Sequence, residues 1–391
     1  VKVLGWLILL LTGSLHTSFL QPASVPLLPC IERPTVIDPP WVNNSLYCSE
    51  RVIYDPSGGE LGFTSLTIAP DGTLYAARPL YGQVLSLGDA NGDGLPEQSQ
   101  VLIEGLTLPN GLAFADGTLY ITGGANLYRW RDGTLTTLVD DLPSGTGFWT
   151  GGVAIGADGR LYVGIGAPCD YCEPDDPERG SILSFAADGS DRQIVAQGLR
   201  QPNDLVFQRD QLLVVDSARD DLPRESTLDE LNVIPFGERD IHFGWPYCIG
   251  LENQPDWEAA DRECGDMSPP VTTFSTFSNP LGITVYEGDA FPHLQGQVLV
   301  TLGGSHNQTQ IAGYTLVALG LDAEGKMTSP PDVILPAIPD SNPSWQGVGL
   351  QQMHYQKSGF WPFRPYDVVV SPEGWIYVSV GGGRIWALRP R

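Results

Sequence analysis

Leu66-Thr-Ile-Ala-Pro-Asp-Gly-Thr-Leu-Tyr75 reads as an apolar strand, an Asp-Gly turn and a second strand ending on an aromatic ring. Asp-Gly supplies the positive φ of a tight hairpin, and the flanking alternation gives each strand a face to bury. The phrase returns as Gly111-Leu-Ala-Phe-Ala-Asp-Gly-Thr-Leu-Tyr120, as Gly152-Val-Ala-Ile-Gly-Ala-Asp-Gly-Arg-Leu-Tyr162, and last as Asp367-Val-Val-Val-Ser-Pro-Glu-Gly-Trp-Ile-Tyr377. A weaker copy, Asp204-Leu-Val-Phe-Gln-Arg-Asp-Gln-Leu-Leu-Val214, lacks the glycine. Gly282-Ile-Thr-Val-Tyr286 followed by Gln297-Val-Leu-Val-Thr301 is the most eroded. Most copies lead into a third short strand such as Gln83-Val-Leu-Ser-Leu87 or Arg384-Ile-Trp-Ala-Leu388. The first three turns recur about every 40 to 50 residues, the period of propeller blades. One blade cannot bury both of its faces alone, so six copies predict an all-β, six-bladed β-propeller. A sandwich would not need such regular spacing.

The propeller is predicted over residues 60–391, with two long Pro-rich insertions, 219–275 and 322–365, that are poor in strand pattern. Loops of that length in a compact domain usually carry function, and here they would crowd one mouth of the channel. Residues 26–59 form a Pro-rich arm. Residues 1–25 read as a secretory signal, because Lys2 precedes an apolar run from Val3 to Leu11 that is short for a bilayer span. The expected location is therefore secreted or periplasmic. An even count of six cysteines agrees with export, and local pairing would join Cys30 to Cys48, Cys169 to Cys172 and Cys248 to Cys264. A zinc site at Cys169-x-x-Cys172 lacks a second pair of ligands at the right spacing. With 21 basic against 46 acidic residues, the chain has a formal charge of -25. Such a surface repels phosphate backbones and anionic lipid, so neither nucleic acid nor a membrane surface is an expected partner.

Asp89-Ala-Asn-Gly-Asp-Gly-Leu-Pro-Glu97 places oxygen ligands at positions one, three, five and nine and glycine at six, like an EF-hand loop. Asp89, Asn91, Asp93 and Glu97 are the candidate Ca²⁺ ligands. Gln100 stands where the closing bidentate Glu belongs, and a plain turn between strands accounts for the pattern equally well.

Several phrases resemble the soluble quinoprotein glucose/sorbosone dehydrogenase family, especially its sorbosone dehydrogenase-like branch. They are Gly166-Ala-Pro-Cys-Asp-Tyr-Cys172, Ala187-Asp-Gly-Ser190 leading to Gly198-Leu-Arg-Gln-Pro-Asn-Asp204, and Asp229-Glu-Leu-Asn232 followed by Phe243-Gly-Trp-Pro-Tyr-Cys248. Further on come Gly303-Gly-Ser-His-Asn307 before Gly313-Tyr314, and Arg364-Pro-Tyr-Asp-Val-Val-Val-Ser-Pro-Glu-Gly374. The resemblance implies a calcium-assisted pyrroloquinoline quinone (PQQ) enzyme that oxidises a sugar hydroxyl or aldehyde by hydride transfer to the quinone. Such chemistry needs a base near neutrality and a fixed cation at the quinone oxygen. By position, Arg200 matches the quinone-polarising arginine and Arg364 a carboxylate-binding arginine. The family's histidine base falls on Phe148, and a second late arginine falls on Tyr366. Asp204 or His306 would have to serve in place of the missing groups. Arg200 reads equally well as a channel arginine paired with Asp204 or Asp216, and Arg364 as a loop cap.

Two other readings stand beside this one. A gluconolactonase-like propeller would hold one divalent ion through Glu60, Asn110, Asn203 and Asp216. A non-catalytic exported propeller that binds a sugar or another partner would tolerate loss of the histidine, since fold does not fix function.

Overall fold

The computed structural model describes residues 30–33, 42, 45–59, 61–96, 98–219, 228–250, 252–253, 264–274, 277–305, 312–335 and 363–391. The segment read as a signal, 1–25, lies outside them, as do Glu60, Glu97 and His306.

Six antiparallel sheets follow one another along the chain, each beginning with the hairpin seen in the sequence. Blade one is Ser65–Ile68, Leu74–Arg78, Gln83–Gly88 and Gln98–Ile103, and blade two is Pro109–Ala115, Thr118–Gly123, Asn126–Arg131 and Thr134–Val139. Blade three is Thr150–Ile155, Leu161–Ile165, Ser181–Phe185 and Gln193–Gln197, extended by a short parallel strand, Ile241–His242. Blade four is Pro202–Gln208, Gln211–Asp216, Asp229–Pro235 and Thr272–Phe274; blade five is Pro280–Val285, Val298–Leu302, Thr315–Leu319 and Asp332–Leu335. Blade six has Pro365–Val370, Ile376–Val380 and Arg384–Pro390, and its fourth strand is Tyr47–Tyr54 from the start of the chain. The innermost strand of each blade touches those of its two neighbours, so the ring closes.

Two sequence expectations change here. The arm assigned to 26–59 contains the closing strand of the last blade. The insertions are also less irregular than they read, since 219–275 supplies two strands to blade four and one to blade three, and 322–365 holds Asp332–Leu335. These strands are short or lack a hairpin partner beside them in sequence, so no alternation marks them.

The alternation has a plain cause. In Leu74–Arg78, Leu74 and Ala76 pack with Trp375, Tyr377 and Ile385 of blade six, while Tyr75 and Ala77 pack with Leu112, Leu119 and Ile121 of blade two. The same division produces a buried cluster at each of the other four seams. Because both faces are buried, the strand is apolar throughout. The turns differ in detail. Asp116 and Gly117 both take positive φ, the two-residue hairpin, whereas Gly72, Gly159 and Gly374 alone turn left-handed at the end of a longer loop. All three disulfides pair as the local guess had them.

Side chains near the start of the inner strands pin one blade to the next. Ile283 N donates to Asp204 Oδ2 (3.0 Å), Leu66 N to Asp367 Oδ2 (2.6 Å) and Leu112 N to Ser65 Oγ (3.1 Å). At the seam between blades three and four, Gly151 leaves no room for a side chain: a Cβ would sit well inside contact distance of the Pro202 carbonyl oxygen. Gly151→Ala is expected to lower stability by about 1–3 kcal/mol through overpacking, read as a fall in thermal midpoint.

Candidate functional site

The inner strands open onto an axial mouth. One cavity there, of about 190 Å³, receives residues from all six blades: Thr64 and Ser65, Asn110, Trp149 and Gly151, Asn203 and Asp204, Leu281, and Tyr366 and Asp367. Arg364, Gln201 and Asn279 complete the wall. A second cavity of about 210 Å³ shares Gln201 and Asn279 with the first and is lined by Phe148, Arg200, Ser217, Asp229, Phe277, Gly304 and Ser305. Arg200 and Arg364 thus open onto adjoining cavities at one end of the ring.

The mouth is rich in amides because the chain needs them there. Asn110 Nδ2 donates to Thr150 O (3.0 Å), and Asn203 Nδ2 donates to Ser217 Oγ (2.8 Å) and Pro280 O (2.6 Å). Each fixes the start of one inner strand against the next and leaves the side chain bordering the opening. Ser217 Oγ also donates to Asn279 Oδ1 at 2.7 Å. Trp149 is 40 % exposed, an unusual position for so large a ring, and borders the same space.

Arg200 is a buried side chain, 2 % exposed. Its Nε donates to Asp170 Oδ1 at 2.7 Å, Nη2 reaches the same oxygen, and Nη1 donates to Ser217 O at 3.0 Å. The guanidinium also lies 4.2 Å from the centre of the Phe148 ring. Asp170, inside the Cys169–Cys172 loop, is therefore a carboxylate partner of the guanidinium. Asp216 instead accepts from the backbone N–H groups of Arg200 (3.0 Å) and Gln201 (2.6 Å). Arg364 is buried as well and holds a loop together. Its Nη1 donates to the carbonyls of Gly303 (2.7 Å) and Gly304, and its Nη2 donates to Tyr314 Oη (2.9 Å). Tyr366 is buried in the wall beside it.

Burial dominates the carboxyls of this region. It pushes Asp204 up to about 7 against the opposing pull of the Ile283 and Leu205 N–H groups, and Asp216 up to about 7 in the same way. Asp367 is raised well above its ordinary value by burial and by the nearby Asp204. A carboxyl whose pKa is higher folded than unfolded contributes stability that is complete below the unfolded pKa and is lost as pH rises through the folded one. Stability is therefore expected to fall between about pH 4 and 7. Asp204→Asn keeps the acceptor for Ile283 N and should shrink the difference in thermal midpoint between pH 5 and pH 8. An undiminished difference counts against the assignment.

The loop read as a Ca²⁺ site turns its oxygens inward on its own backbone. Asp89 Oδ1 accepts from Gly92 N (2.8 Å) and Asp93 N (3.0 Å), and Asn91 Oδ1 accepts from Asp93 N (2.8 Å). Asp93 faces Arg33 at 3.7 Å, Arg389 Nη1 donates to Asp93 O, and Tyr377 Oη donates to Gly94 O (3.0 Å). Among the described residues no group of three or more His, Cys, Asp or Glu side chains is placed to hold a metal ion. The described part of the loop works as a clip from blade one to blade six, and Glu97, the fourth residue of the expected Ca²⁺ set, lies outside the described residues. Of the residues named for a lactonase-type ion, Asn110 and Asn203 border the mouth, both Asp216 oxygens accept from backbone N–H groups, and Glu60 lies outside the described residues.

Residues 131–317, which carry Phe148, Arg200 and Asp204, match the family model described as Glucose / Sorbosone dehydrogenase. None of the curated proteins matches the chain. Among solved structures, the holo form of the pyranose dehydrogenase PQQ domain from Coprinopsis cinerea is similar with TM-score 0.70 and 17% identity, over 89% of this chain and 96% of that one. The calcium structure of the Trichoderma reesei carbohydrate-active enzyme of family AA12 gives 0.69 and 18%, over 94% and 99%. The PQQ-bound aldose sugar dehydrogenase from Streptomyces coelicolor gives 0.56 and 18%, over 89% and 99%. At these identities the likeness carries the fold.

PQQ, implied by the family, can be tested against the residues present. It brings three carboxylates and a quinone whose reduction needs a base and a fixed cation. Among the described residues, neither His nor Lys lines either cavity. The two guanidiniums are held by Asp170 and by loop carbonyls, and Asp204, Asp229 and Asp367 share the opening. Phe148, onto which the resemblance puts the family's histidine, lays its ring over Arg200. The described residues do not fit the quinone.

Proposed function

We propose that the axial mouth binds a neutral sugar or sugar-like polyol, and that this propeller keeps the carbohydrate-facing architecture of the matched family without the groups of quinone redox chemistry. The observation that carries the reading is the cavity itself. Amides from four positions, Asn110, Gln201, Asn203 and Asn279, surround a space of about 190 Å³ beside the half-exposed Trp149 ring. Amides offer both a donor and an acceptor to a hydroxyl, and an aromatic face covers the apolar side of a pyranose. Few convergent polar groups in a preformed concave site are what a small ligand requires.

The family's own activity, PQQ-dependent oxidation of a sugar hydroxyl or aldehyde, is the outcome that would replace this reading. Calorimetric titration with aldoses, sugar alcohols and aldonates should show saturable binding of the neutral compounds, matched by a rise in thermal midpoint. Reconstitution with PQQ and Ca²⁺ should then give no sugar-dependent dye reduction. Dye reduction would restore the dehydrogenase assignment, and absence of sugar binding in every titration would remove the sugar site. Three disulfides are consistent with an oxidising compartment, and we infer export on that ground. No helix among the described residues is long and apolar enough to cross a membrane.

A further inference from the structure

Two carboxyls border the cavity of about 190 Å³ that the amides and Trp149 surround. Asp204 lies near the start of the inner strand of blade four and Asp367 near that of blade six, with Pro280–Val285 of blade five between them. Both converge on one peptide of that middle strand. Ile283 N donates to Asp204 Oδ2 at 3.0 Å, and Gly282 leaves the space beside Asp367, since a Cβ there would meet Asp367 Oδ1 at 2.4 Å. Asp204 is half-buried, whereas Asp367 is 5 % exposed and accepts from Leu66 N (2.6 Å) and Val368 N (2.7 Å). Such backbone bonds leave lone pairs over, because a carboxyl has about four acceptor sites. Burial favours the protonated form of both groups, and the charge of Asp204 adds to this at Asp367. The pair therefore ionises first at Asp204 and keeps its proton on Asp367. Arg364, the cation on the same wall, donates to the Gly303 and Gly304 carbonyls.

We propose, on the sugar reading of this cavity, that the mouth interconverts the anomers of a reducing aldose, with Asp204 as base at the anomeric hydroxyl and Asp367 as acid at the ring oxygen. One carboxylate and one carboxylic acid beside a bound hemiacetal supply both halves of general acid–base catalysis. Asp204 removes the proton of the C1 hydroxyl, whose oxygen closes to a carbonyl. The bond from C1 to the ring oxygen breaks, its electron pair leaves on that oxygen, and Asp367 protonates it. The open aldehyde turns about C1–C2, and the same oxygen adds to the opposite face of C1 as both protons return. Two protons move and no electrons are gained or lost, so the reaction needs no redox partner. The amides of Asn110, Gln201, Asn203 and Asn279 hold the other hydroxyls.

The test uses the full chain at pH 7 and whichever of glucose, galactose, mannose and xylose binds most tightly in calorimetry. Polarimetry follows the freshly dissolved α-anomer, and the buffer rate is subtracted. The protein-dependent rate should saturate over the concentration range of calorimetric binding, slow in D₂O, and be inhibited by the methyl glycoside, which has no anomeric proton to give. Asp204→Asn, which keeps an acceptor for Ile283 N, should lose about a hundredfold or more of that rate while the sugar still binds, and so should Asp367→Asn. A rate that grows without saturation would come from surface carboxylates, and one unchanged in D₂O or in both variants would exclude proton transfer by this pair; each of these results overturns the proposal. Saturation and the D₂O effect need no variant, so they decide even where a substitution prevents folding. Sugar that binds without faster anomerisation removes the acid–base pair and leaves the binding site, whereas absence of both removes both.

Discussion

Glu50→Ala is expected to lower stability by about 3–5 kcal/mol, the cost of removing one member of a buried ion pair. Glu50 is fully buried in Tyr47–Tyr54, the strand that completes the last blade. Its two oxygens lie 3.4 Å from Arg33 Nε and 3.1 Å from Arg389 Nη1, and both arginines are buried too. Without the carboxylate, two guanidiniums would remain in the interior with Asp93, at the edge of the group, as the one carboxylate among the described residues paired with them. The loss falls on the ring-closing seam, where Arg389 also covers the Trp375 ring at 4.5 Å. Thermal or denaturant unfolding checks it. Replacing Arg33, Glu50 and Arg389 together by apolar residues of similar volume should recover much of the loss, since the burial cost of all three charges vanishes with them. A Glu50→Ala protein as stable as the parent would show that the cluster contributes little.

The second large effect concerns function. Trp149→Ala is expected to weaken sugar binding by about tenfold or more, because a single well-placed aromatic ring often supplies over 1.4 kcal/mol of binding energy. Because the ring, 40 % exposed, still covers part of its surface, Trp149→Phe, which keeps an aromatic face, is the control that separates lost affinity from lost packing. Calorimetry on the variant decides the matter. Undiminished affinity would place the sugar away from this wall.

The ring was legible in the sequence wherever a hairpin keeps both strands and their turn within one short stretch. Leu66 to Tyr75 and Asp367 to Tyr377 announce themselves in this way, and each occupies the inner half of a blade. Tyr47–Tyr54 did not, because its partner Arg384–Pro390 lies at the other end of the chain and no turn links them. Thr272–Phe274 and Ile241–His242 are too short to show a period. The site divides along similar lines. The motifs brought Arg200, Asp204, Arg364 and Tyr366 into view, and the structure places all four at the mouth or in its wall. The pairing of Arg200 with Asp170 was hidden, since it joins a loop after one blade-three strand to the connection into blade four. One signal did point there: Asp170 is the only acidic residue between Cys169 and Cys172. Nothing in the sequence around Trp149 separates it from a packed ring, and only its exposure in the folded ring marks it as a surface for a ligand.

Closure by an N-terminal strand also sets a timetable for synthesis. A ribosome releases Tyr47–Tyr54 early, yet the edge it must pair with emerges last, so five blades can stack while the first-made strand waits without its mate. The final topology therefore belongs to the finished polypeptide. A nascent chain stalled short of Arg384 would expose the unpaired edge of Ile376–Val380 to any other β-strand nearby.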